Sequence, residues 1–182
     1  MKRIGAVAVI GYTLTIVAAN WALHHIGNPS PFPGAPNTLP VGFGLEAPSG
    51  VYFVALALVL RNVVQRQLGR RVAVAAIIVG ALLSWATSDG AVALASGVAF
   101  LCSEGLDMTV YTPLRRHGQL RAVLPASLLG GAVDSAVFLA IAFHSESFWQ
   151  AQMLGKAWGV LAAAVILGLA EARANPKAVE FA

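Results

Sequence analysis

Residues 99–116 read AFLCSEGLDMTVYTPLRR, an apolar stretch that carries Glu104 and Asp107 three residues apart and Tyr111 four further on. At helical spacing these three share one face, because residues three, four and seven apart lie above one another. A carboxylate facing lipid is costly, so that face must look inward, toward a partner or a watery cavity. Pro113 and the Arg115-Arg116 pair then mark the end of the helix at a membrane surface. A membrane helix with a polar face sets the terms for the rest of the chain.

The 182 residues are 58% hydrophobic and only 11% charged. Soluble domains run near a quarter charged, so the composition is that of an integral membrane protein. The net charge of +4 does not read as nucleic-acid affinity, because the basic residues sit in short clusters between apolar runs. Cys102 is the lone cysteine, which excludes a disulfide framework and a cysteine-based metal site. The start resembles a signal peptide but runs apolar for about twenty residues with no A-x-A site, so a retained first span is expected.

The expected architecture is an all-α integral membrane bundle of six transmembrane helices in one domain, residues 1–182. The spans fall at about 4–23, 48–68, 72–86, 91–114, 122–143 and 151–170. Residues 27–48 hold Gly and Pro but no Lys or Arg, and are expected as an exposed loop that covers a cavity. Pro48 is a favourable helix start. Further turns are expected at 87–90 and 144–150, and a loose tail at 171–182. Lys2, Arg3, Arg66, Arg70, Arg71, Arg115, Arg116, Arg121, Arg173 and Lys177 all fall on one side of this topology. The positive-inside rule then puts both termini in the cytoplasm.

Five charges remain inside the bilayer: Arg61, Glu104, Asp107, Asp134 and Lys156. Arg61 and Gln65 share a helix face, and Arg61 either snorkels to the inner surface or pairs with a buried acid. Three acids against two bases leave one acid unmatched. Two readings stay open: interhelical ion pairs that merely fix packing, or a ligand site or pathway. Enzyme signatures such as G-x-x-x-x-G-K-[ST], H-E-x-x-H and G-x-S-x-G do not occur, so no catalytic residue, metal site or cofactor is expected. Residues 105–111 (GLDMTVY) and 132–138 (AVDSAVF) align around their aspartates. This is either a faint repeat facing one central site, as in other transporters, or chance similarity of two apolar helices.

Three stretches, ALALVLRNVVQRQLGRR, SGVAFLCSEGLDMTVYTPLRR and LPASLLGGAVDSAVFLAIAF, resemble the vitamin-uptake-transporter-like (VUT) family of queuosine precursor transporters. The likeness covers roughly residues 48–143, with the family's two helical aspartates present as Asp107 and Asp134. The sequence departs at Asn62, where an acid is expected, and at Glu104, where a glutamine is. The resemblance implies import of a 7-deazaguanine, preQ0 or preQ1, across a bacterial inner (plasma) membrane. Glu104 and Asp107 would then accept from the ligand's donor edge, with Asp134 as second choice or a proton-linked gate. Arg61, Asn62, Gln65 or Lys156 would donate to its carbonyl, and Phe100, Tyr111 or Phe138 would stack on the ring. The expected partners are that small molecule and the lipid bilayer, with no nucleic acid; a homodimer and proton coupling stay open. Two rivals are the membrane substrate-binding subunit of a multi-component vitamin importer, and a structural membrane protein held by interhelical ion pairs.

Overall fold

The computed structural model describes residues 2–30, 36–87, 90–142 and 148–174. Six helices follow in order: α1 (Lys2–His25), α2 (Val51–Leu68), α3 (Arg70–Ala86), α4 (Gly90–Leu114), α5 (Gln119–Ala142) and α6 (Trp149–Ala174). Among the described residues, five are long and apolar enough to cross a bilayer. The exception is α3, whose 17 residues span about 25 Å at ~1.5 Å per residue. Residues 88–89, within the expected turn at 87–90, lie outside the described residues. So do 144–147 of the next expected turn and 175–182 of the tail.

The chain is inside-out relative to a soluble protein. On α1, Ile4, Val7, Ile10, Leu14 and Trp21 are exposed, whereas Ala8, Tyr12, Thr15, Ala19 and Ala22 are buried. Large apolar side chains thus cover the lipid face, and small or polar ones let helices approach within. Helix α2 lies at the centre and touches α1, α3, α4, α5 and α6. That is why its second half can carry Arg61, Asn62 and Gln65, all three completely buried.

Two expectations need correcting at residues 27–50. The fold is not wholly α: β1 (Thr38–Gly42) and β2 (Leu45–Pro48) form an antiparallel hairpin, with Thr38 opposite Pro48 and Leu39 opposite Ala47. Gly42, Phe43 and Gly44 all take positive φ at its tip, which two glycines make cheap. Pro48 therefore ends a strand, and α2 begins at Val51. Residues 31–35 lie outside the described residues, and part of the hairpin is buried rather than exposed. Val41 and Ala47 bury against Val51 and Ala151, and the Trp158 indole donates to the Val41 carbonyl at 3.2 Å. The Ser49 hydroxyl donates to the Ala22 carbonyl at 2.6 Å. The hairpin is strapped to α1 and α6.

Two prolines lie inside helices. Pro113 lies inside α4, one residue before its end, and the chain continues as a short 3-10 turn, η1 (Arg115–His117). Pro125 sits in the second turn of α5, past the four N–H groups that have no helical partner, so it removes the bond that would run to the Arg121 carbonyl.

Candidate ligand site at the buried ion pairs

Arg61 sits ten residues into α2, about 15 Å along its axis. Of the two readings of Arg61, the structure has the ion pair. Its Nε donates to Glu104 Oε2 at 2.8 Å and its Nη2 meets Asp107 Oδ1. Nη1 donates to Gln65 Oε1 at 2.9 Å. Glu104 and Asp107 share one face of α4, so a single guanidinium fork holds both.

Asp107 is further enclosed. Asn62 Nδ2 lies 3.2 and 3.3 Å from its two carboxylate oxygens, and Ser127 Oγ lies 3.2 Å from Oδ2. Gly130 lets α5 come close here: a Cβ at that position would stand 3.0 Å from the Asp107 Cβ and 3.1 Å from the Ser103 carbonyl. The amide of Asn62 is thus a donor to Asp107, a role an acid at that position could fill only if protonated.

The second pair lies between α5 and α6. Lys156 Nζ contacts Asp134 Oδ2 and Ser135 Oγ at 2.7 Å each, Gln152 Oε1 at 3.2 Å and the Gly131 carbonyl at 3.3 Å. Four acceptors surround three N–H groups, so this ammonium is fully satisfied. Ser103 Oγ reaches Asp134 Oδ1 at 3.4 Å. The two aligned aspartates therefore each take a separate cation.

A cavity opens between the two pairs and the hairpin end of the bundle. Glu104, Asp134, Lys156, Gln152, Phe100 and Phe138 contribute to its wall. It leaves about 70 Å³ for the centres of water molecules, where one water needs roughly 10–15 Å³. The structure brings Glu104, Asp134, Lys156, Phe100 and Phe138 to this wall. It leaves Asp107, Arg61, Asn62, Gln65 and Tyr111 behind it, away from the cavity.

Two buried polar atoms of the wall residues have no hydrogen-bond partner: Glu104 Oε1 and Gln152 Nε2. The Gln152 amide is oriented unambiguously, because Lys156 can only donate and so holds the oxygen. Gln152 and Asn20, which also lines the cavity, went unrecognised in the sequence. Gln152 precedes Lys156 by four residues, a same-face spacing that gave the available signal. Asn20 is an amide in an apolar helix, and it donates to the Ser84 carbonyl at 3.1 Å and Thr87 Oγ1 at 2.7 Å.

A polar relay leads away from the cavity toward the other end of the bundle. It runs from Glu104 to Arg61 to Gln65, whose Nε2 donates to Thr112 Oγ1 at 2.9 Å.

Fold and site together define a multi-pass membrane protein with charged side chains paired around an internal cavity. Residues 86–170 match the model of a transporter family described as "Putative vitamin uptake transporter", and over that segment the chain is similar to this family. The match takes in α4, α5 and most of α6; α2, whose sequence also carried the resemblance, lies outside it. No curated protein and no solved structure matches the chain.

Proposed function

We propose that the chain imports a 7-deazaguanine queuosine precursor, preQ0 or preQ1, across a bacterial inner membrane, with both termini in the cytoplasm. The observation that carries this reading is a pair of unpartnered polar atoms, one acceptor and one donor, on two residues that line the cavity. A guanine-like edge presents a ring N–H beside a carbonyl. Glu104 Oε1 accepts from the N–H, and the exocyclic amine adds a second donor to the same carboxylate. Gln152 Nε2 donates to the carbonyl, in place of the donors expected from sequence. Phe100 and Phe138 offer ring faces or edges to the flat base.

Size and charge agree with such a ligand. The cavity's room corresponds to about five waters, or roughly 150 Å³ of liquid volume at ~30 Å³ each, the scale of a bicyclic base. Among the described residues the buried charges, three acids against two bases, leave one negative charge over. A precursor with a protonated aminomethyl arm would neutralise it, which favours preQ1 over preQ0. Asp107 supports Glu104 from behind through their shared Arg61, and Asp134 is held by Lys156.

The melting temperature of detergent-purified protein tests this, with and without preQ0, preQ1 and guanine. Stabilisation by a deazaguanine follows from mass action on a folded-state site. Glu104→Gln and Gln152→Leu each abolish that shift. No shift with any of the three bases overturns the ligand assignment. Uptake by the purified chain alone in liposomes separates a self-sufficient transporter from the binding subunit of a larger importer.

A further inference from the structure

A second cavity lies at the other end of the bundle, bordered by Arg66 at the end of α2, Tyr111 and Thr112 of α4, Arg115 and Arg116 of η1, and Gln119 opening α5. Three guanidinium groups border it, and none of its described lining residues is acidic. The first turn of α5 carries no acidic side chain, so the positive end of that 24-residue helix has no carboxylate of its own there. Among these exposed arginines Gln119 stands out, being only 9% exposed. Its Oε1 lies 3.5 Å from the Tyr111 hydroxyl, while its Nε2 is buried with no hydrogen-bond partner.

We propose that this cavity is an anion site for a phosphate group, held by Arg66, Arg115 and Arg116, by the Gln119 amide and by the first-turn N–H groups of α5. Helix N-termini and arginine forks both hold phosphate groups, and here they converge. The site is distinct from the cavity at Glu104. The same chemistry arrives from two sources: the headgroup of an anionic phospholipid, for which a basic pocket between membrane helices is suited, or a soluble phosphate compound.

The test compares melting temperatures of the full chain in three settings: nanodiscs of phosphatidylcholine, the same with phosphatidylglycerol, and detergent titrated with inorganic phosphate. A rise with phosphatidylglycerol alone assigns the lipid headgroup. A rise that follows phosphate concentration assigns a soluble compound. Replacing Arg115→Gln and Arg116→Gln together weakens either effect about tenfold or more, since each cation near an anionic surface contributes roughly 1 kcal/mol. Gln119→Leu separates a built site from general surface charge. It weakens binding about threefold or more if its amide donates to the phosphate, and leaves a diffuse electrostatic effect untouched. Absence of a rise in both media, or a full rise in Gln119→Leu, overturns the proposal.

Discussion

The two buried ion pairs are built on opposite principles. Lys156 meets one carboxylate and has more acceptors than protons, so nothing in that pair is left wanting. Arg61 serves two carboxylates at once, and Glu104, which lines the cavity, keeps one oxygen without a hydrogen-bond partner. Low dielectric makes a satisfied pair a clamp and an unsatisfied one a source of affinity for whatever completes it. On the proposed reading, the Lys156–Asp134 pair is structural and the Arg61 cluster is directed at the ligand through Glu104, with Gln152 of α6 as the donor opposite it.

Removing Arg61 breaks this comparison most severely. Arg61→Met leaves two buried carboxylates without a cation, and breaking such a pair costs about 3–5 kcal/mol. Loss of folded protein or a large drop in melting temperature is expected, with much of it recovered when Glu104→Gln and Asp107→Asn are added. Equal stability of Arg61→Met and the native chain would mean that the cluster holds nothing together.

Lys156→Met comes second. The Asp134 side chain keeps 13% exposure and has Ser103 nearby, so the loss falls near about 1–3 kcal/mol. Adding Asp134→Asn should return most of it, and a double-mutant cycle over the two positions measures the coupling. A cost above that of Arg61→Met would reverse the assignment of clamp and site.

Glu104→Gln has the smallest effect on stability. Its amide oxygen still accepts from Arg61 Nε, and the surplus negative charge is gone, so folding changes by about 1 kcal/mol or less. Ligand binding, by contrast, is lost. A variant that melts normally and still binds preQ1 would remove Glu104 from the site.

Much of this arrangement was legible in the sequence. Apolar runs and their breakers placed all six helices within three or four residues at each end, because chain solvation in lipid is decided locally. The five intramembrane charges were equally plain. Their pairing was not, since it depends on how α2, α4, α5 and α6 rotate against one another. One-dimensional spacing put Glu104 and Asp107 on a common face, yet only helix packing separates the acid at the cavity from the one behind it. The hairpin was hidden for another reason. Its strands are short and contain Pro40 and Pro48, so turn-forming composition masked a pairing that contacts with α1 and α6 stabilise. Gln152 and Asn20 were overlooked because a neutral amide in an apolar helix carries less apparent cost than a charge.

The short α3 has a consequence for the surrounding lipid. Val72, Val74, Ile78, Val79, Leu82 and Trp85 expose an apolar flank along its length, although α3 is not among the five helices long and apolar enough to cross a bilayer. If α3 spans the membrane beside its neighbours, its about 25 Å falls some 5 Å short of a ~30 Å core. Lipid beside it would then thin, or Arg70 and Arg71 would reach outward, to close that gap. A bilayer of shorter acyl chains would relieve the mismatch on this one flank and give membrane thickness a direct mechanical hold on the bundle.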